Sequence, residues 1–418
     1  MYFLTLDERK KIVYNKSMEL LIPVAAGLEQ TVKRQLNKLG YDKCPAENGR
    51  IAVDGDWKDV ARLNVFLRSG ERVLVKVASF KAVTFDELYQ GMYAVSWENY
   101  LEMDSQILMD GKCFQSTLGA IKACGGVAKK AIISRLADKK KTGRKTFTES
   151  GARTIVGFSI IRDVVTVTLD TTGDGLHKRG YRTLSVTAPL KETLAAAILD
   201  NTFYNPEKDS EKPLADPFCG SGTFPIEAAL KALNIAPGIR RSFDFERWSF
   251  VPKDAIALAR EEAKDGETRN RQVMILGSDI NPKNVEIAKK HAWQAGVADS
   301  IRFSVADARK FSCATPFGIL VCNPPYGERL SELKEVQALM RDFANAFRAL
   351  PDWNAYVLTS LPEFERWFGK NADKKKKLSN ANLVCGLYSY FGKSPKARFL
   401  PLFYLFTSSF VFLRVFLL

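Results

Sequence analysis

Two periods of apolar residues divide the first 170 positions into short strands and amphipathic helices. Met18-Glu-Leu-Leu-Ile-Pro-Val24 alternates weakly and predicts a strand. From Gly27 to Gly40 the apolar residues recur at helical spacing, and a glycine ends the run. Ile51-Ala-Val53 is a second strand, Trp57 to Phe66 a helix, and Arg72 to Ala78 a third strand. That order predicts a small α+β layer domain. Between Lys129 and Lys145 a helix carries eight Lys or Arg against one acid, Asp138, with Ala131, Ile132, Ile133 and Leu136 as its apolar stripe. Thr154–Ile161 and Val164–Leu169 then form two strands joined by a tight Arg162-Asp163 turn.

The pattern changes after Asp170. Thr171-Thr-Gly-Asp-Gly175 is a turn-rich joint. A helix runs from Pro189 through Leu199, and strands and helices alternate from there. The expected strands are Pro213–Ala215, Val273–Leu276, Ile301–Val305, Phe317–Cys322 and Ala355–Thr359. Helices are expected from Phe224, over Asn284–Gln294 and over Glu332–Leu350, and Leu383–Phe391 closes the sheet as an edge strand. Such alternation predicts an α/β domain with a mostly parallel sheet and helices on both faces. Lys374–Lys377 fits either a surface turn or a nucleic-acid contact.

Charge narrows the class of partner. Lys+Arg total 62 against 47 Asp+Glu, a net +15 with pI ≈ 9.4, which favours a polyanion. Nucleic acid is the first expectation; an anionic membrane surface or a merely soluble basic surface would give the same balance. The seven cysteines are scattered and the only histidines are His177 and His291, so neither a zinc site nor a disulfide framework is expected. Reduced thiols fit a cytoplasmic protein. The N-terminus reaches Asp7-Glu-Arg-Lys-Lys11 too soon for a secretory signal. Phe399–Leu418 is almost wholly apolar and long enough to span a bilayer. Pro401 and Arg414 count against an anchor, and an aberrant terminus unrelated to function is the expectation.

Two short segments carry the chemistry. In Asp216-Pro-Phe-Cys-Gly-Ser-Gly-Thr223, Gly220 and Gly222 let the backbone turn sharply and approach a ligand closely. The turn leads into a helix whose N-terminal amides favour a carboxylate. Asp279 ends the next strand and can accept both hydroxyls of a ribose; Asp307, after the following strand, can accept an adenine amino proton. The gap from the glycine turn to Asp279 far exceeds the roughly twenty residues usual in dinucleotide sites, so Lys231 to Arg271 reads as an insertion over the sheet edge. Asn323-Pro-Pro-Tyr326 follows an apolar strand, where open sheets bind ligands. An exocyclic base amine is a poor nucleophile, because its lone pair is delocalised. Asn323 and the Pro324 carbonyl can accept its two protons, Pro325 stiffens the turn, and Tyr326 can stack on an extruded base. The pairing points to methyl transfer from S-adenosylmethionine to an exocyclic nitrogen, with no metal required. Cys219 has no histidine placed to activate it and reads as a packing residue.

Asp216–Glu227 and Asn323–Arg329, with Gly175–Arg182 and Ala188–Leu194, resemble the bacterial THUMP-domain RNA methyltransferases related to the large-subunit ribosomal RNA guanine-N2 methyltransferase, often labelled N6-adenine-specific DNA methylases. The similarity covers roughly Met18 to Gly392 and is weaker over Asp104–Cys124; the Ala236–Phe243 insertion with Trp248 also looks familial. It implies an extension over 1–17, a ferredoxin-like plus THUMP RNA-binding region over 18–175, a class I, Rossmann-like methyltransferase domain over 176–392, and a tail over 393–418 outside the resemblance. It further implies that Asp216, Phe218, Gly220, Gly222, Thr223, Asp279, Asp307 and Asn323 hold S-adenosylmethionine, and that Asn323, Pro324, Pro325 and Tyr326 hold the base. Lys129, Lys130, His177, Lys178, Arg179 and Arg182 become candidate RNA contacts. The expected product is N2-methylguanine in 23S ribosomal RNA. Adenine-N6 methylation of DNA, or a silent RNA-binding factor in ribosome assembly, are the alternatives.

Overall fold

Capping residues fix several element boundaries in the computed structural model, which describes residues 17–47, 49–140, 147–184, 190–327, 330–380 and 383–393. The chain divides into two compact units. One runs to Gly180 and takes back Asn234–Glu267; the other comprises Tyr181–Leu233 and continues from Thr268.

The first unit is built on strands β1 (Met18–Pro23), β2 (Ala46–Glu47), β3 (Arg50–Gly55), β4 (Leu74–Lys81), β5 (Gln106–Phe114), β6 (Arg153–Ile161) and β7 (Val164–Asp170), in the order β2-β3-β1-β4-β7-β6-β5. Its helices are α1 (Glu29–Lys38), α2 (Trp57–Phe66), α3 (Phe85–Ala94) and α4 (Ile121–Lys140). Asp56 accepts from the N–H groups of Lys58 and Asp59 while Asp59 reaches back to the Asp56 N–H, a capping box that starts α2 where the periodicity places it. β6 and β7 meet at Arg162 (φ 49°) and Asp163 (φ 63°), the two left-handed residues of the anticipated tight hairpin. The apolar stripe of α4 is inward at Ala131, Ile132 and Leu136. The rest of its basic run, 141–145, lies outside the described residues.

The second unit opens with α5 (Glu192–Leu199), β8 (Leu214–Asp216) and α6 (Thr223–Ala232). The chain then returns to the first unit for α7 (Ala255–Asp265). This corrects the expectation that Lys231 to Arg271 covers the edge of the second sheet. The returning segment packs in the first unit: Gly238 N–H donates to Val65 O (2.9 Å), Arg62 pairs with Glu262 (2.8 Å), and Trp248 meets the ring of buried Trp57 edge-on.

From Thr268 the second unit continues with β9 (Ile275–Asp279), α8 (Pro282–Ala295), β10 (Ile301–Val305), β11 (Ile319–Cys322), α9 (Leu330–Arg348), β12 (Asn354–Thr359), α10 (Phe364–Phe368), β13 (Lys374–Asn380) and β14 (Leu383–Tyr390). The sheet order is β10-β9-β8-β11-β12-β14-β13. The pairings from β10 to β12 are parallel, and β14 runs antiparallel to both β12 and β13. Parallel strands covered on both faces are continuously apolar, which is why Leu214–Asp216 and Ile319–Cys322 are buried throughout. β14 is therefore interior and β13 is the edge. Lys374–Lys377, expected as a turn or a nucleic-acid contact, are strand residues, and a lysine-rich edge discourages pairing with another chain. The chain winds outward from β8 through β9 and β10, then crosses back to β11 on the other side of β8. Their carboxyl ends flank the switch point at which such sheets bind ligands.

No described helix is long and apolar enough to cross a membrane. Phe399–Leu418 and the first sixteen residues lie outside the described part.

Candidate active site

The two sequence segments converge at that switch point. Asp216 and the glycine turn leave β8, Asp279 ends β9, Asp307 follows β10, and Asn323–Tyr326 leaves β11. Together they line one cavity of about 700 Å³. Phe218, Gly220 and Thr223 line it as well. The proline-proline turn and the glycine bend thus share a cleft.

Each residue of the glycine turn is held individually. Asp216 is buried, and its Oδ1 accepts from the Phe218 N–H (3.0 Å). Cys219 N–H donates to Ser278 O (2.9 Å), tying the turn to β9. Gly220 (φ 50°) donates its N–H to Asp279 Oδ2 (3.0 Å). Gly222 (φ 87°) caps α6, and a Cβ there would lie 3.0 Å from that of Ala288. A Cβ on Gly220 would meet no protein atom within 4 Å, so that flank of the turn is open to a ligand. Asp279 Oδ1 accepts from Asn281 N–H (2.9 Å) and from the Asn284 side chain (3.1 Å), which leaves Oδ2 room for a second donor.

Charge at the site is unbalanced. Burial pushes the Asp216 carboxyl well above the usual carboxylate range, and Asp279 adds to the push. Neither acid forms an ion pair among the described residues. The Cys219 thiol is likewise raised by burial and by both acids, which suits the packing role read from sequence. Asp307 behaves differently. It caps a short turn through Arg309 N–H (3.0 Å) and pairs with the Arg309 guanidinium (2.6 Å), which holds its carboxyl below the usual range.

In the second loop Pro324 is buried and Pro325 exposed. The Tyr326 hydroxyl donates to Asn323 Oδ1, and Cys385 Sγ from β14 lies 3.8 Å behind it. Burial drives the Tyr326 hydroxyl far above its ordinary pKa, so it stays protonated and available as a donor.

Two of the expected RNA contacts are corrected. The Arg179 side chain is buried and donates to the carbonyls of Leu176 (2.8 Å), Leu67 and Arg68, so it closes loops rather than meeting phosphate. Arg182 also turns inward, to Thr223 Oγ1 (2.6 Å), Leu190 O (3.2 Å) and Glu192 (3.4 Å); it uses the Thr223 hydroxyl as an acceptor. Lys178 is exposed beside Asp174 (3.5 Å), His177 is half-buried, Lys129 pairs with Glu149 (2.6 Å), and Lys130 faces solvent. Sequence reasoning missed Ile280, Asn284 and Arg309 on the cavity wall. Ile280 follows Asp279 directly and is 66% exposed on the cavity wall. Its position after the strand-ending acid was the available signal.

A doubly wound seven-stranded sheet with a final antiparallel hairpin, and a glycine turn and an Asn-Pro-Pro-Tyr turn meeting at its switch point, define a class I methyltransferase. Comparison with known proteins narrows this. The RMKL-like methyltransferase domain matches residues 179–389, and the RlmL ferredoxin-like domain matches residues 19–74. The chain is 39% identical over 378 residues to YpsC of Bacillus subtilis (strain 168), a candidate RNA methyltransferase, covering 90% of this chain and 97% of that protein. It is 33% identical over 390 residues to the ribosomal RNA large subunit methyltransferase K/L of Psychromonas ingrahamii, covering 89% of this chain but only 50% of that protein. Among solved structures, SMU.472, a candidate methyltransferase complexed with SAH, superimposes with a TM-score of 0.84 at 39% identity, covering 91% of this chain and 99% of that one. The chain belongs to the RMKL-like methyltransferase family and carries that family's ferredoxin-like module.

Proposed function

We propose that this protein methylates an exocyclic base amine in RNA, with guanine N2 of 23S ribosomal RNA as its target and S-adenosylmethionine as donor. The observation that carries the reading is the shared cavity: Asp216, Gly220 and Asp279 on one wall, Asn323–Tyr326 on the other. The relative that methylates large-subunit ribosomal RNA supports the choice of substrate.

The residues fit the donor. Two carboxylates without protein counter-ions suit a ligand carrying an ammonium and a sulfonium, the open flank of Gly220 leaves space for its chain, and exposed Ile280 offers a face for its adenine. Asp279 Oδ2 takes the ribose, and Asp307 takes the adenine amine beside its Arg309 pair. When bound, the sulfonium supplies an activated methyl group. Asn323 Oδ1 and the Pro324 carbonyl accept hydrogen bonds from the two amine N–H groups and turn the nitrogen lone pair toward that methyl; the methylated amine then gives up one proton to water. The Tyr326 ring stacks on the base, and its hydroxyl fixes which way the Asn323 amide points. The preformed turn supplies positioning rather than acid–base chemistry. In the first unit, a THUMP-type platform would use exposed lysines such as Lys130 on α4 for phosphate contact.

Incubation with labelled donor and separate pools of DNA, transfer RNA and ribosomal RNA tests the reading. Label in ribosomal RNA, recovered as N2-methylguanine, is the expected result. Label confined to DNA overturns the substrate, and RNA binding without label overturns the activity.

A further inference from the structure

His291 is fully buried on α8, and each of its ring nitrogens has one backbone partner. Nδ1 lies 3.1 Å from the carbonyl oxygen of Ser221, between the two turn glycines. Nε2 lies 3.4 Å from the backbone N–H of Leu184. An amide N–H can only donate and a carbonyl can only accept. The ring is therefore neutral, with its proton on Nδ1. The other buried positions of this helix are small or aliphatic: Val285, Ala288, Ala292 and Ala295. Packing alone would be served by a leucine without the cost of burying two polar atoms.

The partners explain the choice. The peptide between Ser221 and Gly222 is held at both ends, its carbonyl by His291 and its N–H by Cys219 O (2.7 Å). That peptide sets the left-handed conformation from which α6 starts. Leu184 belongs to the segment that begins at Tyr181 and leads toward Leu190 on the cavity wall. Nearer its start, the same helix α8 sends Asn284 to Asp279. One helix thus braces both the acid and the turn. We infer that His291 is a positioning residue for the donor site, tying the Ser221–Gly222 peptide of the glycine turn to the Leu184 backbone, a bridge that is complete only while its ring is neutral.

Protonation would put an Nε2–H against the Leu184 N–H and remove the acceptor. The charged groups around the ring oppose that state. Arg182, from the segment before α5, and Lys290, on α8 itself, both disfavour a cation, as burial does more strongly; only the Ser221 carbonyl favours it. Tyr181 packs its ring 6.4 Å away and sends its hydroxyl to Glu227. The folded-state pKa is accordingly below the usual value of about 6.5. The contribution is complete above the unfolded value and is lost as pH falls through the lowered one.

The inference rests on the donor-site reading, and the experiment separates the two. S-adenosylhomocysteine binding to the full chain is measured by calorimetry from pH 8 to pH 5, alongside kcat and KM for S-adenosylmethionine. Wild-type affinity is expected to fall on the acid side by roughly three- to tenfold more than that of His291→Asn, the worth of one hydrogen bond, since the Asp216 carboxyl titrates in both proteins. His291→Asn keeps a donor near Nδ1 and cannot titrate. It is expected to bind within about threefold of wild type at pH 8, with a flattened acid limb. His291→Leu is expected to raise KM for the donor about tenfold while kcat at saturation stays within about threefold. A folded His291→Leu protein with wild-type affinity overturns the assignment, as does His291→Asn with an unchanged acid limb. Should His291→Leu fail to fold, the His291→Asn profile decides alone. A wild type that binds no S-adenosylhomocysteine at any pH overturns the donor site itself.

Discussion

Alanine at Gly220 and at Gly222 should separate fold from ligand within one turn. Both glycines are left-handed, so each substitution carries a backbone penalty of about 1–2 kcal/mol. Their surroundings differ. The new methyl at 222 would sit 3.0 Å from the Ala288 Cβ and 3.3 Å from Ile226, both on buried helix faces that cannot move aside freely. Overpacking adds about 1–3 kcal/mol, so Gly222→Ala should lose roughly 2–5 kcal/mol in all. At 220 no protein atom lies within 4 Å of the added carbon, and the loss stays near the backbone penalty alone. The methyl would instead occupy space on the cavity wall. We expect Gly222→Ala to lower the melting temperature of the second unit by roughly 5–15 °C and Gly220→Ala by no more than about 5 °C. Calorimetry with S-adenosylhomocysteine should show Gly220→Ala weakened at least about tenfold, the cost of a misplaced methyl in a closely approached ligand site. If Gly220→Ala binds as well as wild type, the donor does not run past this turn. If it melts as far down as Gly222→Ala, the open flank is not open.

Asn323→Ala should abolish turnover and leave S-adenosylhomocysteine affinity nearly unchanged if, as proposed, the residue holds the base; a comparable loss of affinity in titration would contradict that division of labour. Asp216→Asn should raise the melting temperature of the ligand-free protein at pH 8, by on the order of 1 kcal/mol of stability, while donor binding collapses. The sign follows from the raised carboxyl: its contribution is present below the unfolded pKa and is lost as pH rises through the folded one, so the gain should vanish in melts at pH 4. Lys130→Ala should weaken RNA binding across sequences and flatten its salt dependence, read from filter binding at several salt concentrations. Arg179→Ala should leave the salt slope unchanged and lower the melting temperature, because its guanidinium satisfies buried carbonyls.

Sequence legibility followed how local the cause was. Trp57–Phe66 and Ile301–Val305 match the expected spans to the residue, because a capping box and clean periodicity act within a few positions. α3 was overlooked although Thr84 and Glu87 form a capping box at its start, a pattern visible in the chain. β5 was overlooked because its alternation is blurred by exposed Leu108 and by Gly111, and its pairing with β6 is parallel and non-local. The lysines of β13 have little strand propensity; the interior neighbour β14 imposes the conformation. At the site, residue types with one chemical use were readable: two turn glycines, strand-ending acids, an Asn-Pro-Pro-Tyr turn. Arginines were not, because a guanidinium serves phosphate and carbonyl oxygen equally and only the fold decides which way Arg179 and Arg182 point. Nor could periodicity reveal that His291 sits beneath Ser221, seventy positions earlier in the chain.

The segment that leaves the second unit after Leu233 and comes back at Thr268 also sets an order of events during synthesis. Trp57 needs Trp248 and Phe250 to cover its ring, and α2 needs α7, so the amino-terminal body stays unfinished until Glu267 has left the ribosome. By then β8, the glycine turn and α6 are already outside, waiting for sheet partners that have yet to be translated. A fragment cut at Gly180 would not be a smaller version of that body but one with an open wound across its aromatic cluster.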